Sequence, residues 1–372
     1  MESGEARRIR SAEVVLPCAD LANTLAFFTT RLAFRIESIH PADDPAVAVI
    51  AAHGLRIRLQ RGGNGSPGVL RLACHDPGAF GEGAAELIAP NGTRIELAAA
   101  APSLVVPPVQ PSFVVSRMGG DAPWRAGRAG MLYRDLIPGR QGGRFIASHI
   151  AIPGGGWVDD YVHFHRVRFQ MIYCYKGWVS VVYEDQGAPF TLRAGDCVLQ
   201  PPEIRHRVLE SSPGLEVIEL SCPAEHETVA DPDLPLPTSK YQPDRDFAGQ
   251  RFVRHHAASA HWVPWRLAGF AARDLELGAA SGGMGNACVV RPSGSVARAQ
   301  DGVHELEFML LVVLNGAVTL QTGRLGAQRL EAGDACAVPP GLLYSLADGS
   351  GDLQFLEVVS PAAAEVQRPR AG

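Results

Sequence analysis

The chain has 372 residues, 46% of them apolar, with 40 Gly and 28 Pro, enough to bury two or three separate cores and too rich in turn formers for a helical architecture. A formal net charge of −5, with no Lys/Arg run beyond the short cluster from Arg7 to Arg10, excludes a nucleic-acid partner. No stretch approaches the ~18 apolar residues of a membrane span and the start MESGEARRIRSAE lacks a signal-peptide core, so a cytoplasmic protein without a membrane partner is expected, and seven scattered Cys with no CxxC pair indicate neither a disulfide frame nor a zinc finger.

In chain order, SAEVVLPC reads as a strand, and Asp20 as the N-cap of a helix whose Leu21, Leu25, Phe28 and Leu32 share one face. The runs RIESI, AVAVIAAH and LRIRLQRG follow as strands, which gives the order β-α-β-β-β over residues 1–110. Asp20-Leu21, Thr24, Phe27-Phe28, Leu32-x-Phe34 and the closing Pro90-Asn91-Gly92-Thr93-Arg94-Ile95-Glu96 resemble the glyoxalase, bleomycin-resistance and extradiol-dioxygenase superfamily. That resemblance implies a small α+β domain. The expected metal-binding His is missing from its first strand and its second module is truncated, so the module is expected to be degenerate, with Glu96 in a packing or oligomerisation role.

SLVVPPVQPSF reads as a linker into a β-rich unit over residues 111–228. There His163-Phe164-His165 places two imidazoles on one face of a strand, because side chains two apart point the same way. Gln170 opens the next strand and His206 arrives on a later one, so four donors can converge on one metal with open positions for substrate. Tyr161, Ile172 and Cys174 share the ligands' parity and are expected to face the barrel interior. Arg168 is a candidate clamp for a substrate carboxylate, and Tyr161 or Glu203 a candidate for moving a proton.

AEHETVADPDLPLPTSKYQPDRD, without helical or strand periodicity, reads as a connector to a second unit over residues 229–372. This unit repeats the first. Arg134-Asp135-Leu136 recurs as Arg273-Asp274-Leu275, His165 as His304 and Gly177 as Gly316 at an offset of 139; Ala194-Gly195-Asp196 recurs as Ala332-Gly333-Asp334 and Pro201-Pro202 as Pro339-Pro340 at 138. Short β-rich runs joined by tight Gly turns in both copies indicate two antiparallel barrels. The second copy keeps His304 alone: Gly302, Met309 and Tyr344 stand where His163, Gln170 and His206 would be, so its site is expected to be degenerate.

Gly156, His163-x-His165, position 170 and Gly177, followed by Gly195, Pro201 and His206, resemble the two motifs of the cupin superfamily. The resemblance implies a mainly β bicupin, two jelly-roll barrels behind the α+β module, with one divalent metal ion on His163, His165, Gln170 and His206, and a homodimeric habit. Gln170 stands where cupins usually carry Glu, so the ion keeps its full charge. The leading expectation is an Fe2+ dioxygenase acting on a small chelating enol, catechol or keto acid. Two alternatives stay open: a non-redox lyase, isomerase or cyclase using Mn2+, Zn2+ or Ni2+, and a small-molecule binding or sensory protein.

Overall fold

The computed structural model describes residues 11–120, 123–294 and 301–362, so the Arg7 to Arg10 cluster lies outside the described residues. The chain divides into two compact units, residues 1–103 and 104–372. Among the described residues no helix is long and apolar enough to cross a membrane, and the seven cysteines are all free.

In the first unit a four-stranded sheet runs in the order Val14–Cys18, Leu55–Arg61, Val47–Ala52, Arg35–His40. Its first pair is parallel because a helix over residues 21–31 provides the crossover. Asp20 caps that helix, its carboxylate accepting from Asn23 N at 3.0 Å. Phe28 and Leu32 then pack on Ile50, Ile57 and Leu59. A three-stranded sheet, Val69–Cys74, Arg94–Ala99, Glu86–Ile88, completes the unit. Glu96, on its middle strand, accepts from Arg94 Nη2 at 2.8 Å.

The second unit is mainly β and holds both barrels. In each, a seven-stranded sheet carries the long strands (Phe169–Lys176 and Leu215–Cys222 in the first barrel, Phe308–Asn315 and Gln354–Ser360 in the second) and a smaller sheet closes the other side. Alternation along Phe169–Lys176 sends Ile172 and Cys174 into the barrel, while Met171 and Tyr173 join Leu310, Val312, Leu356 and Val358 in a core shared by the two barrels. Phe145 stacks on Phe308 across that core with ring centroids 4.3 Å apart.

The barrels exchange strands. Val114–Ser116 precedes the first barrel in sequence but pairs with Ala335–Ala337 of the second, and Val253–His255 precedes the second but pairs with Cys197–Leu199 of the first. The repeated arginines cross the same way: Arg273 Nη2 donates to Gly195 O at 3.2 Å and the buried Arg134 Nη2 to Gly333 O at 2.5 Å. Both acceptors sit in turns at φ of +96 and +89°, which glycine adopts without strain.

One expectation is corrected. The Pro- and Asp-rich connector is not structureless throughout, because Thr228–Ala230 forms a strand alongside His163–His165. Only three residues long, it is held by its partner's register and carries too little pattern for periodicity to register.

Candidate metal centre

His163 and His206 face each other on paired strands, with ring centroids 4.3 Å apart. His165 joins them two residues along, and one ring nitrogen from each of the three lies within 4.8 Å of the others. Two of the rings have a defined tautomer. His163 Nδ1 lies 2.8 Å from Tyr161 O and His206 Nδ1 3.0 Å from Ile204 O. A carbonyl only accepts, so each Nδ1 carries the proton and each Nε2 offers a lone pair to the centre. Thr228 Oγ1 lies 2.9 Å from His165 Nδ1 and orients the third ring.

All three imidazoles are held neutral. Burial, then the Arg128 charge, pushes His163 down to about 4. Burial, then His163, pushes His206 down to about 3. For His165, burial followed by its histidine neighbours lowers the value far below the usual range.

Gln170 is buried and linked to the histidines through Gln200. Its Nε2 donates to Glu219 Oε1 at 3.1 Å, and its oxygen turns toward Gln200. Gln200 Nε2 donates to that oxygen at 3.0 Å and lies 3.4 Å from His206 Nε2, while Tyr183 Oη donates to Gln200 Oε1 at 2.6 Å.

Arg128 reaches the centre from the hairpin preceding Leu132–Asp135. It contacts the buried Asp160 and donates through Nη2 to His163 Nε2 at 3.0 Å. Asp160 also accepts from Val208 N at 3.0 Å and Tyr161 N at 2.9 Å. A cation and this guanidinium compete for the same His163 lone pair, so a bound metal requires Arg128 to turn aside. Three converging imidazole lone pairs with a carboxamide behind them otherwise fit a divalent first-row transition ion.

His165 and His206 open on a cavity of about 360 Å³ whose lining includes Arg128, Ser148, Ile172, Gln200, Glu219 and His226. The other sequence candidates lie elsewhere. Tyr161 does not face the barrel interior as its parity suggested: it is 41% exposed and outside the cavity lining, its ring edge-on to His163 at 5.8 Å and its backbone oxygen holding the imidazole. Arg168 does not line the cavity: its turn carries it out to a separate pocket with Arg144 and Glu307, where Nε lies 3.1 Å from Met284 Sδ. Glu203 sits at φ +59° in a loop, its side chain 54% exposed and 3.9 Å from Arg166. Arg128, Asp160, Gln200, Glu219 and Thr228 escaped the sequence reading. For Glu219 a signal existed, since it recurs as Glu357 at the repeat offset of 138; Arg128 matches Arg266 only when the second hairpin is allowed one extra residue, which breaks the local offset of 139.

In the second barrel the equivalent space holds an ion pair. Arg266 Nη1 donates to Glu357 Oε2 at 2.7 Å and Nη2 to Tyr344 Oη at 2.8 Å, against Met309. His304 is used up by the backbone, with Nε2 3.0 Å from Val338 O and Nδ1 accepting from Leu306 N at 3.1 Å. The Arg266 guanidinium supplies the positive charge that the buried Glu357 carboxylate faces.

Two packed jelly-roll barrels with one histidine centre define a bicupin fold. No family model matches the chain, and no curated protein matches it. Among solved structures, the chain is similar to a formate complex of oxalate decarboxylase from Lactobacillus farciminis at 13% identity and a TM-score of 0.51, over 72% of this chain and 90% of that one. It is also similar to oxalate decarboxylase from Bacillus subtilis, a protein described with Mn(II) centres, at 12% identity and a TM-score of 0.51, over 73% of this chain and 82% of that one. At such identities the likeness establishes the cupin fold and leaves the reaction to be argued from this chain's own residues.

Proposed function

We propose that the chain is a divalent-metal-dependent enzyme that carries out a non-redox, lyase-type reaction on a small organic acid in its first barrel. The observation that carries this reading is the company the triad keeps: a guanidinium, Arg128, and a carboxylate, Glu219, line the same cavity. A metal ion held by His163, His165 and His206 would supply Lewis-acid polarisation of a substrate oxygen. Arg128, braced by Asp160, binds a carboxylate and fixes its orientation. Glu219 moves the proton. Gln170 Nε2 and Ser221 Oγ both donate to its Oε1, at 3.1 and 3.0 Å, so Oε2 is the atom left to accept a proton. Gln170 acts as a positioning residue, tying Glu219 to the histidines through Gln200.

A second reading is the O2-dependent dioxygenase, with Fe2+ and a chelating enol, catechol or keto acid. It is favoured by the absence of a carboxylate from the triad and by apolar walls that admit O2. The parallel pairing of Val14–Cys18 with Leu55–Arg61 around a helical crossover supports reading the first unit as a degenerate glyoxalase-type module.

The test is turnover of a panel of 2-oxo, 3-oxo and 2-hydroxy acids by metal-loaded protein, in air and under strict anaerobiosis. Conversion that persists without O2 and falls at least about a hundredfold in Glu219→Gln supports the lyase reading. Conversion lost without O2 favours the dioxygenase, and no conversion by any metal-loaded form refutes both.

A further inference from the structure

The internal repeat offers a control for the size and character of the cavity. Gly127 N donates to Met131 O at 2.8 Å across the hairpin that carries Arg128, and Trp265 N donates to Phe270 O at 3.0 Å across the hairpin that carries Arg266. Gly127 therefore corresponds to Trp265 and Met131 to Phe270. Val217 pairs with Ile150 as Phe355 pairs with Val290, so Val217 corresponds to Phe355. In the second barrel the three aromatic rings pack edge to face, Trp265 on Phe270 at 5.7 Å, Trp265 on Phe355 at 5.5 Å and Phe270 on Phe355 at 6.3 Å, and fill the space. In the first barrel Gly127, Met131 and Val217 leave it open, and all three line the cavity.

Away from the histidine end the wall is hydrocarbon, including Ile150, Val179, Val181, Leu192 and Leu215. A cavity of about 360 Å³ holds on the order of a dozen heavy atoms at liquid density. A dicarboxylate of two carbons would leave most of that wall unsatisfied and would place its second charge against apolar surface.

We propose that the substrate is a monocarboxylic acid with a compact apolar body of roughly eight to ten carbons, its polar end at Arg128 and the histidines and its body where the twin barrel keeps Trp265, Phe270 and Phe355. This rests on the functional reading above for the polar end only. Gly127 and Val217 are then specificity-determining residues, small because the body needs their space.

The experiment is calorimetric titration of the full chain, metal-free and Co(II)-loaded, with propanoate, hexanoate, octanoate and 3-phenylpropanoate. Affinity should rise about fourfold per methylene, so octanoate, five methylenes longer, should bind roughly 10³-fold more tightly than propanoate. Val217→Phe, which copies the twin's residue at the same register, should weaken octanoate at least about tenfold and propanoate by less than about threefold. Chain-length dependence that persists in a protein unable to bind Co(II) would sink the metal reading and leave this one standing. Co(II) bound at the triad with affinities flat from propanoate to octanoate would overturn this proposal and leave the metal reading intact, as would an octanoate affinity untouched by Val217→Phe.

Discussion

Replacing Arg266 with Met should strongly destabilise the two-barrel unit, although the residue lies in the barrel without a histidine triad. Its partner Glu357 is 5% exposed, and beyond Arg266 it meets the Cys288 thiol, whose Sγ lies 3.6 Å from Oε2. Methionine keeps most of the volume and removes the cation, leaving a buried carboxylate unpaired, which costs about 3–5 kcal/mol. For a unit of this size that lowers Tm by roughly 6–20 °C. Removing all three polar heads together, in Arg266→Met/Glu357→Leu/Tyr344→Phe, should return stability to within about 1.5 kcal/mol of the parent, because a neutral packed core escapes the desolvation cost. Urea denaturation and thermal melting of the full chain read both effects. A single variant as stable as the parent, or a triple variant no better than the single, would refute the idea that the guanidinium supplies the positive charge this buried carboxylate faces.

Gln170→Glu should not simply restore a stronger metal site. It sets a second carboxylate 3.1 Å from Glu219 Oε1, and one of the two must stay protonated, so Co(II) affinity should become steeply pH-dependent, whereas the exchanged variant Gln170→Glu/Glu219→Gln should bind with the parent's flat profile in spectroscopic titrations. Stability should also fall on mild acidification. His163 and His206 stay neutral in the fold down to about 4 and 3 but protonate near 6.5 when unfolded, so the unfolded chain binds more protons in that window. Stability is then full above about pH 6.5 and drops by about 1.4 kcal/mol per pH unit for each histidine below it, and urea midpoints at pH 7.5 and 5.0 check the slope. Gly177→Ala should cost at least about 1 kcal/mol by chemical denaturation, since the residue sits at φ +74° and a Cβ would collide with Ser212 Oγ.

The barrels were legible because duplication writes the same turns twice: Gly177 and Gly316 close equivalent hairpins, and the Gly195 and Gly333 turns recur with them. The triad was legible because His163 and His165 obey the two-residue period of a strand. Arg168 misled for the opposite reason. It precedes the first residue of Phe169–Lys176, where strand alternation no longer fixes direction, and the turn carries it outward. Arg128 lies in a hairpin loop that no periodicity describes, and Glu219 looks like any alternating polar residue until its copy, the buried Glu357, is seen to hold the Arg266 guanidinium. The strand exchange leaves no local trace at all, since Val114–Ser116 and Val253–His255 would read identically if each stayed with its own barrel.

Metal stoichiometry is the decisive quantity. Full-length protein stripped of metal, reloaded separately with Mn(II), Co(II) and Zn(II), and analysed for elemental content should hold one ion per chain, lost in His163→Ala and in His206→Ala and retained in Tyr344→Phe. No bound ion, two ions per chain, or one that survives both histidine replacements would contradict a single centre in the first barrel.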